Sequence, residues 1–258
     1  MDVESHLSLA LELADIADAI TRARFRAHDL RVSTKPDLTP VSEADEAVEH
    51  ALRERLAEVT RHAVVGEEFG HVAVDEDSDF RWIVDPIDGT KNYVRGVPIW
   101  ATLIGLEYAG ELVVGVVSAP ALHTRWWAGR GLGAFRDGSA LHVSAVDDLA
   151  DAQISFAWDT PERFTRDGIG TRMLKLSHRC WRARGIGDFW QHMLVAEGAF
   201  DIAIDPIVSL WDVAALVPIV QEAGGAWSTT DGRVEAAGGS FVCTNGRLHR
   251  EVVAALAG

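Results

Sequence analysis

A chain of 258 residues can bury a sizeable core, and its 39 acidic against 24 basic residues give a formal charge of −15. That balance argues against a nucleic-acid partner or an anionic membrane surface, because neutralising phosphates takes Lys and Arg in excess. Two cysteines, no apolar run near the roughly 20 residues of a membrane span, and no basic start to a leader predict a soluble cytoplasmic protein with reduced thiols.

Residues 5–26 place Leu9, Leu13, Ile16 and Ile20 at helical spacing with Glu12, Asp15 and Asp18 turned away, which predicts a surface helix with one buried face. Pro36 and Pro40 prevent its continuation, and Ser42 is placed to cap a second helix running to about Leu56, with Asp45 in its first turn. Ala63-Val64-Val65 reads as a strand leading into Gly66-Glu67-Glu68. A second apolar strand, Trp82-Ile83-Val84, ends in Asp85-Pro86-Ile87-Asp88-Gly89-Thr90, where Gly89 and Thr90 open a helix. From Ile99 to Arg136, β-branched and aromatic runs over 99–107, 111–118 and 124–128 predict antiparallel neighbours. Within them Trp126 and Trp127 must face opposite sides of the sheet, one in the core and the other a candidate for a subunit interface. The glycines of Gly129-Arg130-Gly131-Leu132-Gly133 lie between strands rather than between a strand and a helix, so they predict a bulge or hairpin and not a dinucleotide loop.

After about residue 145 strands and helices alternate: a strand over 154–157, a helix over 164–174, a strand over 181–184, a helix over 188–197 and a strand over 200–204. A helix over 211–223, kinked at Pro218, precedes a strand over 241–244 and a terminal helix. The change of pattern predicts an α+β unit over 1–144 and an α/β unit over 145–258, joined without a linker and therefore sharing a broad interface.

The loop after the second strand has a chemistry of its own. Carboxylates at a strand end suit a hard divalent cation, and the first amides of a helix, unpaired and at the positive end of its dipole, suit a phosphate. Taken singly, Glu-Glu is an ordinary surface pair, Asp-Gly-Thr an ordinary turn and Trp-Asp an ordinary cap. In combination, Gly66-Glu67-Glu68, then Asp85-Pro86-Ile87-Asp88-Gly89-Thr90, then Trp211-Asp212-Val213-Ala214-Ala215 with Glu222-Ala223-Gly224-Gly225 behind it, resemble the motifs of the inositol monophosphatase family in family order. The resemblance implies lithium-sensitive, metal-dependent phosphatase activity. It also implies an α/β fold, the layered α-β-α-β-α sandwich of the inositol monophosphatase and fructose-1,6-bisphosphatase type, and a homodimer.

Matched motif by motif, the resemblance assigns Glu67, Asp85, the Ile87 carbonyl, Asp88 and Asp212 to two or three Mg²⁺ ions, and Gly89 and Thr90 to the phosphate. Glu67 takes the metal rather than Glu68. Thr90 and Asp45, with Glu67, take the catalytic role of orienting and deprotonating water. So many carboxylates in one place would repel one another without a cation, a physical reason for the metal beside the resemblance. No Cys, Ser-His pair or aspartyl-phosphate motif accompanies these residues, which favours in-line attack by metal-activated water over a covalent intermediate. Lys35 also falls in a family-like segment, where a solvated lysine is equally consistent.

The stretch from Trp181 to Phe189, with Asp205 ahead of Trp211-Asp212, is similar to the histidinol-phosphate phosphatase branch, which implies Arg184, Asp188 and Asp205 as substrate residues. Histidinol phosphate carries an ammonium and a partly protonated imidazole, for which Asp188 makes chemical sense; capping the helix that follows is its alternative role. An inositol-1-phosphatase, or another small phosphomonoesterase of the family, is the alternative activity, and an acidic subsite disfavours substrates with a second phosphate.

Overall fold

The computed structural model describes residues 2–36, 38–72, 78–157 and 168–257. Helix α1 (Val3–Arg24) begins where the Asp2 carboxylate accepts the Ser5 amide at 3.2 Å, and it buries Ala10, Leu13, Ala14 and Ala17 along one stripe. Strands β1 (Val32–Thr34) and β2 (Pro40–Ser42) form a small antiparallel ribbon around the segment where prolines end the first helix. Ser42 then caps α2 (Glu43–Val59) in a capping box whose reciprocal partner is Asp45, and Ala44, Val48, Leu52 and Leu56 face inward.

Strands β3 (Ala63–Gly66), β4 (Gly70–Val72), β5 (Phe80–Asp88), β6 (Ala101–Tyr108), β7 (Glu111–Ala119), β8 (Thr124–Gly129), β9 (Gly133–Arg136) and β10 (Ser139–Ala140) form one sheet. Its order is β10-β9-β8-β7-β6-β5-β3-β4, antiparallel throughout except where β3 runs parallel to β5. Helices α1 and α2 cover one face, their apolar stripes packing on Trp82, Val84, Ile104 and Val116. The other face is buried too, which explains why β6 and β7 read as near-continuous apolar runs rather than alternating ones. A turn over the Gly129–Gly133 stretch closes the β8–β9 hairpin, as expected.

A second sheet combines β11 (Gln153–Phe156), β12 (Arg182–Arg184), β13 (Ile202–Asp205), β14 (Ala226–Ser228) and β15 (Phe241–Thr244) in the order β12-β11-β13-β15-β14. Strands β12 and β13 run parallel to β11, whereas β15 is antiparallel to both its neighbours, so strict α/β alternation fails at this edge. Helices Asp188–Ala196, Leu210–Val213 and Leu216–Glu222 lie between the sheets. Phe189, Met193, Ile219 and Val220 from these helices share a single core with Leu103, Val117 and Trp126 of the first sheet and Ala203, Phe241 and Cys243 of the second. On the outer face, helices Ile169–Ser177 and His249–Ala257 press Met173, Leu176, Val252 and Leu256 onto Ile154, Ile202 and Val242. The layering is α-β-α-β-α.

One expectation of the fold needs correction. The helix over 211–223 is two helices with a break at Ala214–Ala215, not one helix kinked at Pro218. Proline has no N–H for the carbonyl four residues back, which is that of Ala214, so the helix loosens one turn ahead of it. The break is seated in the sheet: Gly105 and Gly115 pair across β6 and β7, and a Cβ on Gly115 would fall 2.1 Å from the Ala215 carbonyl oxygen. As expected, Trp126 is fully buried, donating to Glu197 at 2.6 Å, while Trp127, on the opposite face, is half-buried and stacked on Phe135. The helix expected over 164–174 occupies Ile169–Ser177, with 164–167 outside the described residues. Cys180 and Cys243 are free thiols, and no described helix is long and apolar enough to cross a membrane.

Candidate active site

The site forms where β5 stops behaving as a regular strand. Asp85 and Asp88 are three residues apart, an odd spacing that would put their side chains on opposite faces of an ideal strand. The pairing of β5 with β6 shifts register between them, and this irregularity brings both carboxylates to one place. Asp212 arrives from the inter-sheet layer, in the first turn of Leu210–Val213, where its Oδ2 accepts the Ser209 amide at 2.7 Å. One oxygen from each of Asp85, Asp88 and Asp212 lies within 4.8 Å of the others. Asp85 Oδ1 also accepts the Ile87 amide at 3.0 Å, and Asp88 Oδ2 accepts the Phe189 amide at 2.6 Å.

Gly89, in the left-handed conformation with φ of 81°, turns the chain into the five-residue helix Thr90–Val94. Thr90 Oγ1 donates to the Ile87 carbonyl at 2.9 Å and lies 3.3 Å from Asp45 Oδ1. The other Asp45 oxygen accepts the Ser42 amide and hydroxyl at 2.9 and 2.5 Å, so Asp45 reaches the site from the first turn of α2 while completing its capping box.

Burial dominates the electrostatics here. It pushes Asp45 up to about 6 against the pull of the Ser42 hydrogen bonds, and Asp212 up to about 7, from an ordinary value of 3.8. Asp85 and Asp88 are held well above that value by burial and then by neighbouring carboxylates, Glu67 for the first and Asp188 and Asp212 for the second. Glu68 rises to about 7 for the same primary reason. Lys35, at the tip of the β1–β2 ribbon, inserts its ammonium between Glu67 and Glu68 at 2.7 and 2.8 Å. Its own burial opposes the charge, but these two hydrogen bonds outweigh it and hold the lysine above its ordinary range. Lys35 is thus paired rather than solvated.

Of these groups, Glu67, Asp85, Ile87, Asp88, Gly89, Thr90 and Asp212 line a cleft of about 430 Å³. Asp188 and Asp205, from the second half of the chain, line the same cleft. Asp205 Oδ2 accepts Gln191 Nε2 at 2.6 Å and sits 2.8 Å from His192 Nε2, whose other ring nitrogen is 3.1 Å from Cys243 Sγ. Asp188 adopts φ of 50°, and its Oδ2 accepts the Asn92 side-chain amide at 2.9 Å. The Phe189 amide at the start of its helix goes to Asp88, so the side chain that caps this end comes from the other half of the chain.

Arg184, expected at the substrate, is not among the cleft-lining residues. Strand alternation turns Ala183 toward the core and leaves Arg184 exposed, donating to the Ala183 carbonyl at 2.8 Å. Asn92 and the Gln191–His192 pair were not anticipated. Asn92 stands in plain view two residues after Thr90, but its contact with Asp188 spans the two halves of the chain and has no local signal.

The sequence matches the inositol monophosphatase family over residues 2–257. The chain belongs to that family. It is 52% identical over 256 residues to the histidinol-phosphatase of Mycobacterium tuberculosis, covering 97% of each chain. Identity to the histidinol-phosphatase of Streptomyces coelicolor is 50% over 262 residues, covering 98% of this chain and 97% of the relative. Among solved structures, an inositol monophosphatase from Anabaena (Nostoc) superposes with a TM-score of 0.87 at 28% identity, covering 99% of this chain and 96% of the other.

The family's members are metal-dependent phosphatases, and the donor set fits a cation. Asp85, Asp88 and Asp212 have no ion-pair partner among the described residues, and hard carboxylate oxygens are the ligands that Mg²⁺-like ions take. Metal-free protein should therefore become less stable as pH rises. For Asp45 and Asp212 the folded value lies above the unfolded one, so the native state binds more protons; their contribution is fully present below about pH 4 and is lost as pH rises through about 6 to 7. Thermal melts in EDTA should show Tm falling between about pH 5 and pH 7.5, with added Mg²⁺ reversing the fall at the upper end. A Tm that is flat or rises over that interval in EDTA would contradict this electrostatic picture.

Proposed function

We propose that this chain is a Mg²⁺-dependent phosphomonoesterase that hydrolyses L-histidinol phosphate to L-histidinol and phosphate, and that it works as a homodimer. The observation that carries the reaction class is the convergence of Asp85, Asp88 and Asp212, which have no ion-pair partner among the described residues, with Thr90 and, behind it, Asp45. Glu67, Asp85, the Ile87 carbonyl, Asp88 and Asp212 would hold two or three Mg²⁺ ions, which when bound offset charge developing on the phosphoryl and leaving oxygens and ease deprotonation of water. Backbone amides at Gly89 and Thr90 offer donors to a phosphate oxygen. The Thr90 hydroxyl orients the attacking water, and Asp45, buried behind it, receives the proton.

The substrate assignment is supported by the two bacterial histidinol-phosphatases at half identity and by the charge of the part of the cleft that Asp188 and Asp205 line. The described basic residues lining the cleft are Lys91 and His192, the latter held by Asp205. A substrate with an ammonium and an imidazole opposite its phosphate matches that charge, while a second phosphate would meet like charge.

Phosphate release from histidinol phosphate, inositol 1-phosphate, fructose 1,6-bisphosphate and nucleotide 3′-phosphates tests the assignment. Histidinol phosphate should give the highest kcat/KM; a preference for inositol 1-phosphate would move the chain to the alternative activity. Asp188→Asn sharpens the test, since Asn tolerates the left-handed backbone and its carbonyl oxygen can still accept from Asn92. Loss of a carboxylate paired to a substrate ammonium costs about 1.5 to 3 kcal/mol, or roughly tenfold or more in kcat/KM on histidinol phosphate. Residual activity on inositol 1-phosphate should change far less. Equal losses on both would make Asp188 a structural residue.

A further inference from the structure

Helix α2 presents three polar side chains on one buried stripe, Asp45, Glu49 and Arg53, each four residues from the next. Asp45 already has a place in the site through Thr90. Glu49 is fully buried, and no part of the reading so far uses it. Its Oε2 accepts the Glu68 amide at 2.7 Å, and its Oε1 lies 3.2 Å from the Phe69 amide and 2.8 Å from Arg53 Nε. Arg53 in turn donates to the carbonyls of Val64 and Gly70. The chain is therefore held at 64, 68, 69 and 70, on both sides of Glu67, by one ion pair from a neighbouring helix.

Gly66 belongs to the same arrangement. A Cβ at that position would fall 2.1 Å from Glu49 Oε1, well inside the carboxylate. Glycine is needed there because the backbone runs directly over a buried charge, and not for a turn of its own. A buried carboxylate is costly to desolvate, and here that cost is offset by two successive backbone amides and a guanidinium Nε–H that would otherwise lack an acceptor. What the ion pair supplies beyond packing is direction: the two peptide planes following Glu67 point their N–H groups at Glu49.

We infer that Glu49 and Arg53 are positioning residues for Glu67. They fix the backbone around it so that its carboxylate faces the Asp85 cluster, and they set cation affinity while leaving the Thr90–Asp45 proton path unchanged. Helix α2 then serves as a common ruler, with Asp45 reaching the Thr90 loop and Glu49, one turn on, reaching the Glu67 loop. The inference rests on the reading of Glu67 as a cation ligand.

Glu49→Gln is the direct test. An amide has one acceptor oxygen where the carboxylate serves two amides and a guanidinium, and its NH₂ group would face donors. Titration calorimetry of Mg²⁺ into metal-stripped full-length protein should give a Kd raised about tenfold or more, the scale of an outer partner of a metal ligand. At saturating Mg²⁺, kcat should stay within about twofold. Arg53→Lys, a milder change that keeps the charge but cannot span both carbonyls, should raise Kd in the same direction by less, and it keeps the test alive if Glu49→Gln does not fold. In a Glu67→Gln background, Glu49→Gln should cause no additional loss of Mg²⁺ affinity, because it acts through that side chain. Unchanged Mg²⁺ affinity in a folded Glu49→Gln or Arg53→Lys variant, or the same loss with and without Glu67, would overturn the inference and leave the pair a structural one. Glu67→Gln binding Mg²⁺ as tightly as the native protein would instead sink the ligand reading, and the positioning role with it.

Discussion

Asp88→Asn should give a folded protein with almost no turnover. The amide keeps the size of the side chain and an oxygen that can still accept the Phe189 amide, so the contact between the two halves of the cleft survives. What disappears is a negative charge in the group of carboxylates proposed to hold Mg²⁺. If that charge supplies several kcal/mol of transition-state stabilisation through the cation, kcat should fall on the order of 10³-fold or more. Stability should move the other way. Burial, Asp188 and Asp212 hold the Asp88 carboxyl above its ordinary range, so the charge is a liability without metal, and the variant's Tm in EDTA near neutral pH should be at least as high as the native protein's. Its Tm should also respond weakly to added Mg²⁺. Near-normal activity at saturating Mg²⁺ would defeat the proposed site. A large drop in metal-free Tm would point to a structural role in its place.

That opposition between activity and stability also explains why some of the site could be read in the sequence and some could not. Gly66-Glu67-Glu68, Asp85 to Thr90 and Trp211-Asp212 are local strings whose order carries the resemblance, and the fold brings all three to one cleft. The odd spacing of Asp85 and Asp88 gave no hint of how they meet, because the register shift that reconciles them depends on pairing with β6. Helices with clear apolar stripes, α1 and α2, lay close to where periodicity placed them. The helix near Trp211 was misjudged because Pro218 acts on the carbonyl one turn earlier, and because the Gly105–Gly115 pair that receives the break lies in other strands. Arg184 illustrates the limit of motif transfer: its neighbours Gly187 and Asp188 line the cleft, yet strand alternation turns Arg184 itself to the exterior. The Glu49–Arg53 pair stands at helical spacing in α2, but that spacing did not single it out. Its partners are backbone amides and carbonyls after β3, and backbone groups have no signature in sequence.

Thr90→Val should be the second large effect, and it should separate catalysis from cation binding. Valine keeps the β-branched shape at the first position of the short helix and removes only the hydroxyl. In the native protein that hydroxyl lies between the Ile87 carbonyl at 2.9 Å and Asp45 Oδ1 at 3.3 Å. Its single proton can be given to one of them at a time, and turning it from Ile87 to Asp45 leaves a lone pair for an incoming water proton. Asp45, pushed up to about 6 by burial, has the basicity to receive a proton near neutral pH, while its other oxygen stays anchored by Ser42. Loss of this link should lower kcat by about 10²- to 10⁴-fold, the usual range for positioned acid-base groups. The Mg²⁺ Kd and the Tm should change little, because no carboxylate has been removed. Thr90→Ser, which restores the hydroxyl without the methyl group, should recover most of kcat. A Thr90→Val enzyme with native kcat would remove the hydroxyl from the mechanism, and a serine variant as slow as the valine one would show that the methyl packing, and not the proton path, is what the site requires.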